Sequence, residues 1–180
     1  VNAVLVGADD RVWLTHSVLG GMAEFNGTSW VLHNSPYQMD GMLADVQGNI
    51  WVTTGQYGLF KWNGTSWRNW PTVGGTITMT GLGNDRAGVV YVSTWYGDVY
   101  KMINDNPVFF LNADNIPSGI IPQPNGDIWI KNYGGNGTIG TVRHYTSSGE
   151  LLSLMNTYNS GLPDYFVDRI TSDSGGNMWF

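Results

Sequence analysis

The sequence predicts an all-β fold assembled from repeated four-stranded antiparallel units, and three observations carry that reading. First, an aromatic residue recurs inside a short apolar strand. It does so in Arg11-Val12-Trp13-Leu14, Asn49-Ile50-Trp51-Val52, Val89-Val90-Tyr91-Val92, Asp127-Ile128-Trp129-Ile130 and Asn177-Met178-Trp179-Phe180. The aromatics are 38, 40, 38 and 50 residues apart. Second, Asn-Gly-Thr-Ser-Trp occurs at both 26–30 and 63–67, so two of the units are copies of one another. Third, 25 glycines stand against 7 prolines in a chain that is 42% apolar, 13% aromatic and only 12% charged. This composition belongs to a folded, turn-rich β protein. A period near 40 residues, made of short alternating strands, is that of a β-propeller blade. The count gives about four complete blades and the first two strands of a fifth, the expectation being an arc of a larger ring whose chain continues beyond both ends.

Aligned on the aromatic, the blades fall at about 1–34, 35–71, 72–112, 113–157 and 158–180, forming a single propeller segment. Blade one reads as strands 1–8, 11–15, 22–26 and 29–33. Blade two reads as 38–45, 50–54, 59–63 and 66–70, with turn 46–49 and a Gly-rich loop at 55–58. In both, Asn-Gly (26–27 and 63–64) is the preferred pair for a tight hairpin turn. That reading is preferred to glycosylation of the Asn-Gly-Thr triplets at 26, 63 and 136. Blade three runs from about residue 76 to 112, with strands at 98–103 and 107–111. Blade four has strands at 139–145 and 151–155 and a longer loop at 132–137. The stretch 165–180 supplies the two strands of blade five.

Composition also excludes. The chain has no cysteine, hence no disulfide, thiolate metal site or cysteine nucleophile. Net charge is −6 and no window gathers Lys or Arg, which argues against a nucleic-acid partner. The longest apolar runs, about six residues, fall far short of the roughly 20 a membrane helix needs. Glu24 and Glu150 are the only glutamates and lie on different blades. His16, His33 and His144 form no metal-spaced pair. No nucleophile elbow, phosphate loop or nucleotide fingerprint occurs. The expectation is therefore no cofactor, no metal and no catalytic residue.

The repeated aromatics Trp13, Trp51, Tyr91, Trp129 and Trp179 read as packing between blades, while Trp30 and Trp67 on fourth strands read as partly exposed. Asp10, Asp45, Asp85 and Asp173 read as turn residues whose carboxylates accept backbone N–H bonds. Calcium needs several oxygen ligands converging on one point, and their scatter of one per blade favours turn chemistry. The loops between second and third strands are less regular, and equivalent loops of a propeller gather on one face. There an aromatic recurs beside polar groups, a combination that suits sugar rings or peptide side chains. Tyr57, Trp95, Tyr96, Asn132 and Tyr133, with His16 and Gln56, are the candidate ligand-binding residues.

Several strings resemble the two-component regulator propeller repeat. They are Asp45-Val46-Gln47-Gly48-Asn49-Ile50-Trp51-Val52, Gly58-Leu59-Phe60-Lys61-Trp62-Asn63-Gly64, Asn159-Ser160-Gly161-Leu162-Pro163-Asp164 and Asp173-Ser174-Gly175-Gly176-Asn177-Met178-Trp179. Blade three departs, with Tyr91 for Trp and Asp98 where Leu is usual. Gly137-Thr138-Ile139-Gly140 of blade four is more similar to the streptogramin lyase repeat. The resemblance implies a periplasmic, cell-surface or secreted bacterial module, often the sensor region of a membrane-spanning hybrid histidine kinase. The expected partners are a glycan or peptide ligand and the other domains or blades of a longer chain, with a membrane protein or surface assembly beyond them. The main expectation is a non-enzymatic binding or sensor module. A structural segment of a cell-surface or secretion-associated assembly and a streptogramin lyase-like enzyme are the alternatives.

Overall fold

The computed structural model describes residues 2–7, 9–15, 20–35, 37–134, 139–162, 167–173 and 175–180. Its strands form four four-stranded antiparallel sheets and one two-stranded sheet, each in plain sequence order. The first sheet holds β1 (Val4–Val6), β2 (Val12–Thr15), β3 (Met22–Phe25) and β4 (Trp30–His33). The second holds β5 (Met42–Ala44), β6 (Ile50–Thr54), β7 (Gly58–Trp62) and β8 (Trp67–Trp70). The third holds β9 (Met79–Asn84), β10 (Val90–Thr94), β11 (Asp98–Ile103) and β12 (Asn106–Asn112). The fourth holds β13 (Pro117–Pro122), β14 (Ile128–Asn132), β15 (Thr141–Tyr145) and β16 (Leu151–Met155). The last pairs β17 (Thr171–Ser172) with β18 (Met178–Trp179). The chain divides into two compact units, Val1–Met79 with the first two sheets and Thr80–Phe180 with the rest.

Second strands are the most buried. All five residues of β6 and all five of β10 are inaccessible on both faces, as expected of a strand packed between layers. In the first unit, Trp13, Met22, Met39, Ile50, Val52 and Phe60 make the core. In the second, Tyr91, Val99, Leu111, Ile120, Ile128, Ile130 and Tyr145 do so. Each buried aromatic removes about 150–250 Å² from water, roughly 4–6 kcal/mol of gross driving force at about 25 cal/mol per Å². Trp13, Trp51 and Tyr91 are buried and Trp129 half-buried, but Trp179 is 61% exposed. The core reading therefore does not extend to Trp179, whose two-stranded sheet offers it only β17 as a neighbour. Trp30 is exposed and Trp67 half-buried, as their place on fourth strands implies.

The turn between first and second strands does two jobs. In the second sheet, Asp45 Oδ1 accepts the amides of Gln47 (3.0 Å) and Asn49 (2.9 Å). Its Oδ2 accepts the Asn49 side-chain amide and the Trp51 indole N–H, both at 2.8 Å. One carboxylate thus closes the turn and satisfies the polar edge of the buried indole six residues on. Asp85 does the same with the Val89 amide (2.9 Å) and the Tyr91 hydroxyl (3.3 Å). Burial, with the adjacent Asp85 charge, pushes the Tyr91 phenol up to about 12. Asp173 repeats the pattern with Asn177 and Trp179, and these hydrogen bonds hold its carboxyl below the usual range.

Asp10 is different. Three residues before Trp13, it occupies the place of Gly48, Gly88, Gly126 and Gly176 and adopts their left-handed backbone, at φ 61°. It is the turn's αL residue, a role short polar side chains tolerate. The position of the indole-binding carboxylate is filled there by Gly7.

The Asn-Gly hairpins form as the sequence predicts. Asn26 Oδ1 accepts the Thr28 and Ser29 amides (3.1 and 3.0 Å) before Gly27 at φ 96°, and Asn63 repeats this with Thr65 and Ser66. The Asn136 triplet lies outside the described residues.

Candidate functional site

The loop joining β6 to β7 is built around Thr54. Its hydroxyl donates to the Gly58 carbonyl (3.0 Å) and accepts the Tyr57 amide (2.9 Å), so the loop is fixed from beneath. Gly58 is required: its φ is 87°, and a Cβ there would lie 2.0 Å from the Trp70 carbonyl oxygen. The Tyr57 ring stacks on Tyr37 at 4.2 Å and 21° and stays about half exposed. Gln38, Asp40, Gly55, Gln56 and Tyr57 line an open cleft of about 360 Å³. Across it, Gln38 Nε2 donates to Asp40 Oδ1 at 3.4 Å. An aromatic wall, two primary amides and a carboxylate supply hydroxyl-binding donors and acceptors beside a ring face. Of the candidate residues, Tyr57 and Gln56 line this cleft, and Gln38 and Asp40, which the sequence did not single out, line it with them. The sequence reading placed both inside a strand at 38–45, whereas β5 starts at Met42 and leaves Gln38-Met39-Asp40 as its approach. His16 lies outside the described residues.

In the second unit, the turn between β10 and β11 exposes Trp95 and Tyr96. Gly97 N–H returns to the Thr94 carbonyl (3.2 Å), and Asn112 Nδ2 bonds the Tyr96 carbonyl (3.2 Å) and Asp98 Oδ1 (2.7 Å). The backbone is anchored while both rings face outward. Tyr133, after β14, is likewise exposed, its amide bonded to the Ile116 carbonyl (2.8 Å).

Asn132 does not line this surface. It is fully buried, and its Nδ2 donates to the carbonyls of Ala113 (3.0 Å) and Asp114. It ties the end of β14 to the segment entering β13 and acts as a support. Beside it, Arg143 pairs with Asp114 at 2.5 Å. Burial opposes the Arg143 charge, but hydrogen bonds to Asp114 and Tyr145 outweigh it and hold the guanidinium above its ordinary range. Burial raises the neighbouring Tyr145 phenol. Lys131, lowered by burial, donates to the Asp168 carbonyl (2.7 Å).

Two His–carboxylate pairs occur among the described residues. Glu24, almost buried, is held by Arg11 (2.6 Å) and His33 (2.8 Å), and the His33 ring lies between those of Trp13 and Trp62. His144 faces Asp127 at 3.2 Å. No group of three His, Asp or Glu side chains converges on a metal-holding arrangement among the described residues. Nor is any helix there long and apolar enough to cross a membrane.

Sheets of this topology, repeating with an aromatic on the second strand of each, define a β-propeller of four complete blades and part of a fifth. No protein-family model and no curated protein sequence matches the chain. Solved structures do. Virginiamycin B lyase from Staphylococcus aureus superposes with a TM-score of 0.80 at 13% identity, over 98% of this chain and 61% of that one. The extracellular domain assigned to a hybrid two-component system of B. thetaiotaomicron gives 0.73 at 16% identity, over 98% and 25%. PorZ, a bacterial surface component of the type-IX secretion system of Porphyromonas gingivalis, gives 0.78 at 14% identity, over 95% and 29%. The likeness is one of fold, and the chain spans about three fifths of the lyase and under a third of the other two. At fold level it matches both propeller groups that the sequence resembles.

Proposed function

We propose that the chain is a non-catalytic carbohydrate-recognition module on the exterior of a bacterial cell, serving a sensor. The observation that carries this is the cleft beside Tyr57. A half-exposed ring, braced by Tyr37, stands over Gln38, Asp40 and Gln56 in about 360 Å³, a size within the roughly 300–1,000 Å³ of small-molecule sites. Trp95, Tyr96 and Tyr133 offer a second aromatic surface on anchored turns of the other unit, suited to a sugar or a peptide. The extracellular two-component domain among the similar structures supports the external, sensory setting. The test is a glycan array followed by titration of any hit. Tyr57→Ala or Gln56→Ala is expected to weaken it at least tenfold, and unchanged affinity in these variants and in Trp95→Ala/Tyr133→Ala contradicts the proposal.

A structural role in a surface assembly has its own support. Edge strand β4 exposes Trp30, Val31 and Leu32 in succession, and edge strand β12 exposes Val108 and Phe109. Exposed apolar edge strands are templates for a partner chain. Co-purification of a partner that Leu32→Lys abolishes would favour this reading. The enzyme reading ranks last, and turnover of virginiamycin B by the chain would establish it.

A further inference from the structure

The fourth sheet departs from the second and third at two positions around its aromatic. Where the second, third and fifth sheets carry Asp45, Asp85 and Asp173, it carries Gln123, and the carboxylate moves four residues on to Asp127. Asp127 makes no bond to the Trp129 indole; its Oδ2 accepts from Asn125 Nδ2 (2.8 Å) and meets His144 Nε2 (3.2 Å). His144 is itself a departure. In the second and third sheets the cross-strand position over the repeat aromatic holds Lys61 above Trp51 (4.9 Å) and Lys101 above Tyr91 (5.5 Å), whereas in the first Glu24 stands opposite Trp13. Over Trp129 it holds the imidazole, stacked at 4.2 Å and 6°. Around this stacked pair lies a concavity of about 460 Å³, lined among others by Arg86, Gln123, Asn125, Asp127, Trp129 and His144.

We propose that this cleft binds a small hydroxylated carboxylate, a sugar acid of monosaccharide size. Arg86, brought in by the turn before β10, makes no ion pair among the described residues. A guanidinium is matched by a carboxylate in a bidentate fork. Asp127 Oδ2 is taken up by Asn125 and His144, and the Arg86 guanidinium is the cation of the lining that a ligand carboxylate would pair with. The Asn125 and Gln123 amides and the second nitrogen of His144 suit hydroxyl groups. The cleft lies on the β13–β14 turn side of its sheet, the opposite strand end from Tyr133. It is therefore separate from the aromatic turns proposed above, and neither proposal depends on the other.

Glucuronate, galacturonate and gluconate would be titrated into the 180-residue chain by calorimetry, with glucose as the neutral control. Saturable binding of at least one acid is expected, glucose binding at least tenfold weaker. Arg86→Gln and His144→Gln should each weaken the acid at least tenfold with an unchanged circular dichroism spectrum, and Trp95→Ala/Tyr133→Ala should leave it intact. Arg86 is exposed, so its variant reports binding without a folding cost. Absence of binding by all three acids, equal affinity for glucose, or an Arg86→Gln protein that binds normally overturns the proposal.

Discussion

Removing the Asp45 carboxylate should unfold the first unit far more readily than one exposed turn normally allows. In Asp45→Ala the buried Trp51 indole N–H loses its acceptor at 2.8 Å, a desolvation cost of about 1–3 kcal/mol. The Gln47 and Asn49 amides lose acceptors at 3.0 and 2.9 Å, at about 0.5–1.5 kcal/mol each where water reaches them poorly. The expected loss is about 2–6 kcal/mol, read as the shift of a urea transition followed by tryptophan fluorescence. Asp45→Asn, which keeps one acceptor oxygen, should lose about 1–2 kcal/mol. A double-mutant cycle with Trp51→Phe isolates the indole bond, since the phenylalanine has no N–H to strand. A positive coupling of about 1–2 kcal/mol is expected. A loss below about 1 kcal/mol in Asp45→Ala, or zero coupling in the cycle, would refute the reasoning.

Alkaline pH should destabilise the second unit through Tyr91. Its phenol is raised from the ordinary 10.0 to about 12 in the folded state, so the stabilisation is complete below pH 10. It is lost as pH rises from 10 towards 12, amounting to about 2–3 kcal/mol. Urea transitions over that range should show the slope in the parent protein and a clearly smaller one in Tyr91→Phe, the remainder coming from other phenols that burial raises, such as Tyr145. Gly58→Ala should cost about 2 kcal/mol or more, because it combines a positive φ with contact against the Trp70 carbonyl; Gly64→Ala, with nothing near its Cβ, should cost less in the same denaturation series. Asn132→Ala should lower stability by about 1–3 kcal/mol through the stranded Ala113 and Asp114 carbonyls, with no direct effect on ligand affinity in titration.

Strands 50–54, 98–103 and 151–155 were legible to the residue, because apolar alternation and flanking turn residues coincide there. The approach to β5 was not. Gln38 and Asp40 continue a roughly alternating pattern, but only pairing with β6 decides where the ladder begins. Residues Thr171–Ser172 are all that forms of the first strand expected within 165–180, the segment 163–166 being outside the described residues. The Asp residues were recognised as turn formers, yet the sequence could not say that Asp45 and Asp85 also reach the aromatic six residues on. That requires the turn to fold back over the strand. Asp10 was grouped with them by type, although its spacing from Trp13 is that of the repeat's glycine. Asn132 shows the limit for the site: its polarity suggested a surface, but residues 113–114 bury it, and no local pattern encodes that contact. Tyr57, Trp95, Tyr96 and Tyr133 are all exposed, Tyr57 with its ring stacked on Tyr37.

The account rests on a division of labour: the repeat aromatics and their carboxylates hold the fold, and the turns carry recognition. Affinity for the array-selected glycan, measured by calorimetry on Tyr57→Ala beside its urea midpoint, tests this most directly. The account predicts affinity reduced at least tenfold with the midpoint unmoved. Unchanged affinity, or a midpoint that falls as far as that of Asp45→Ala, would contradict it.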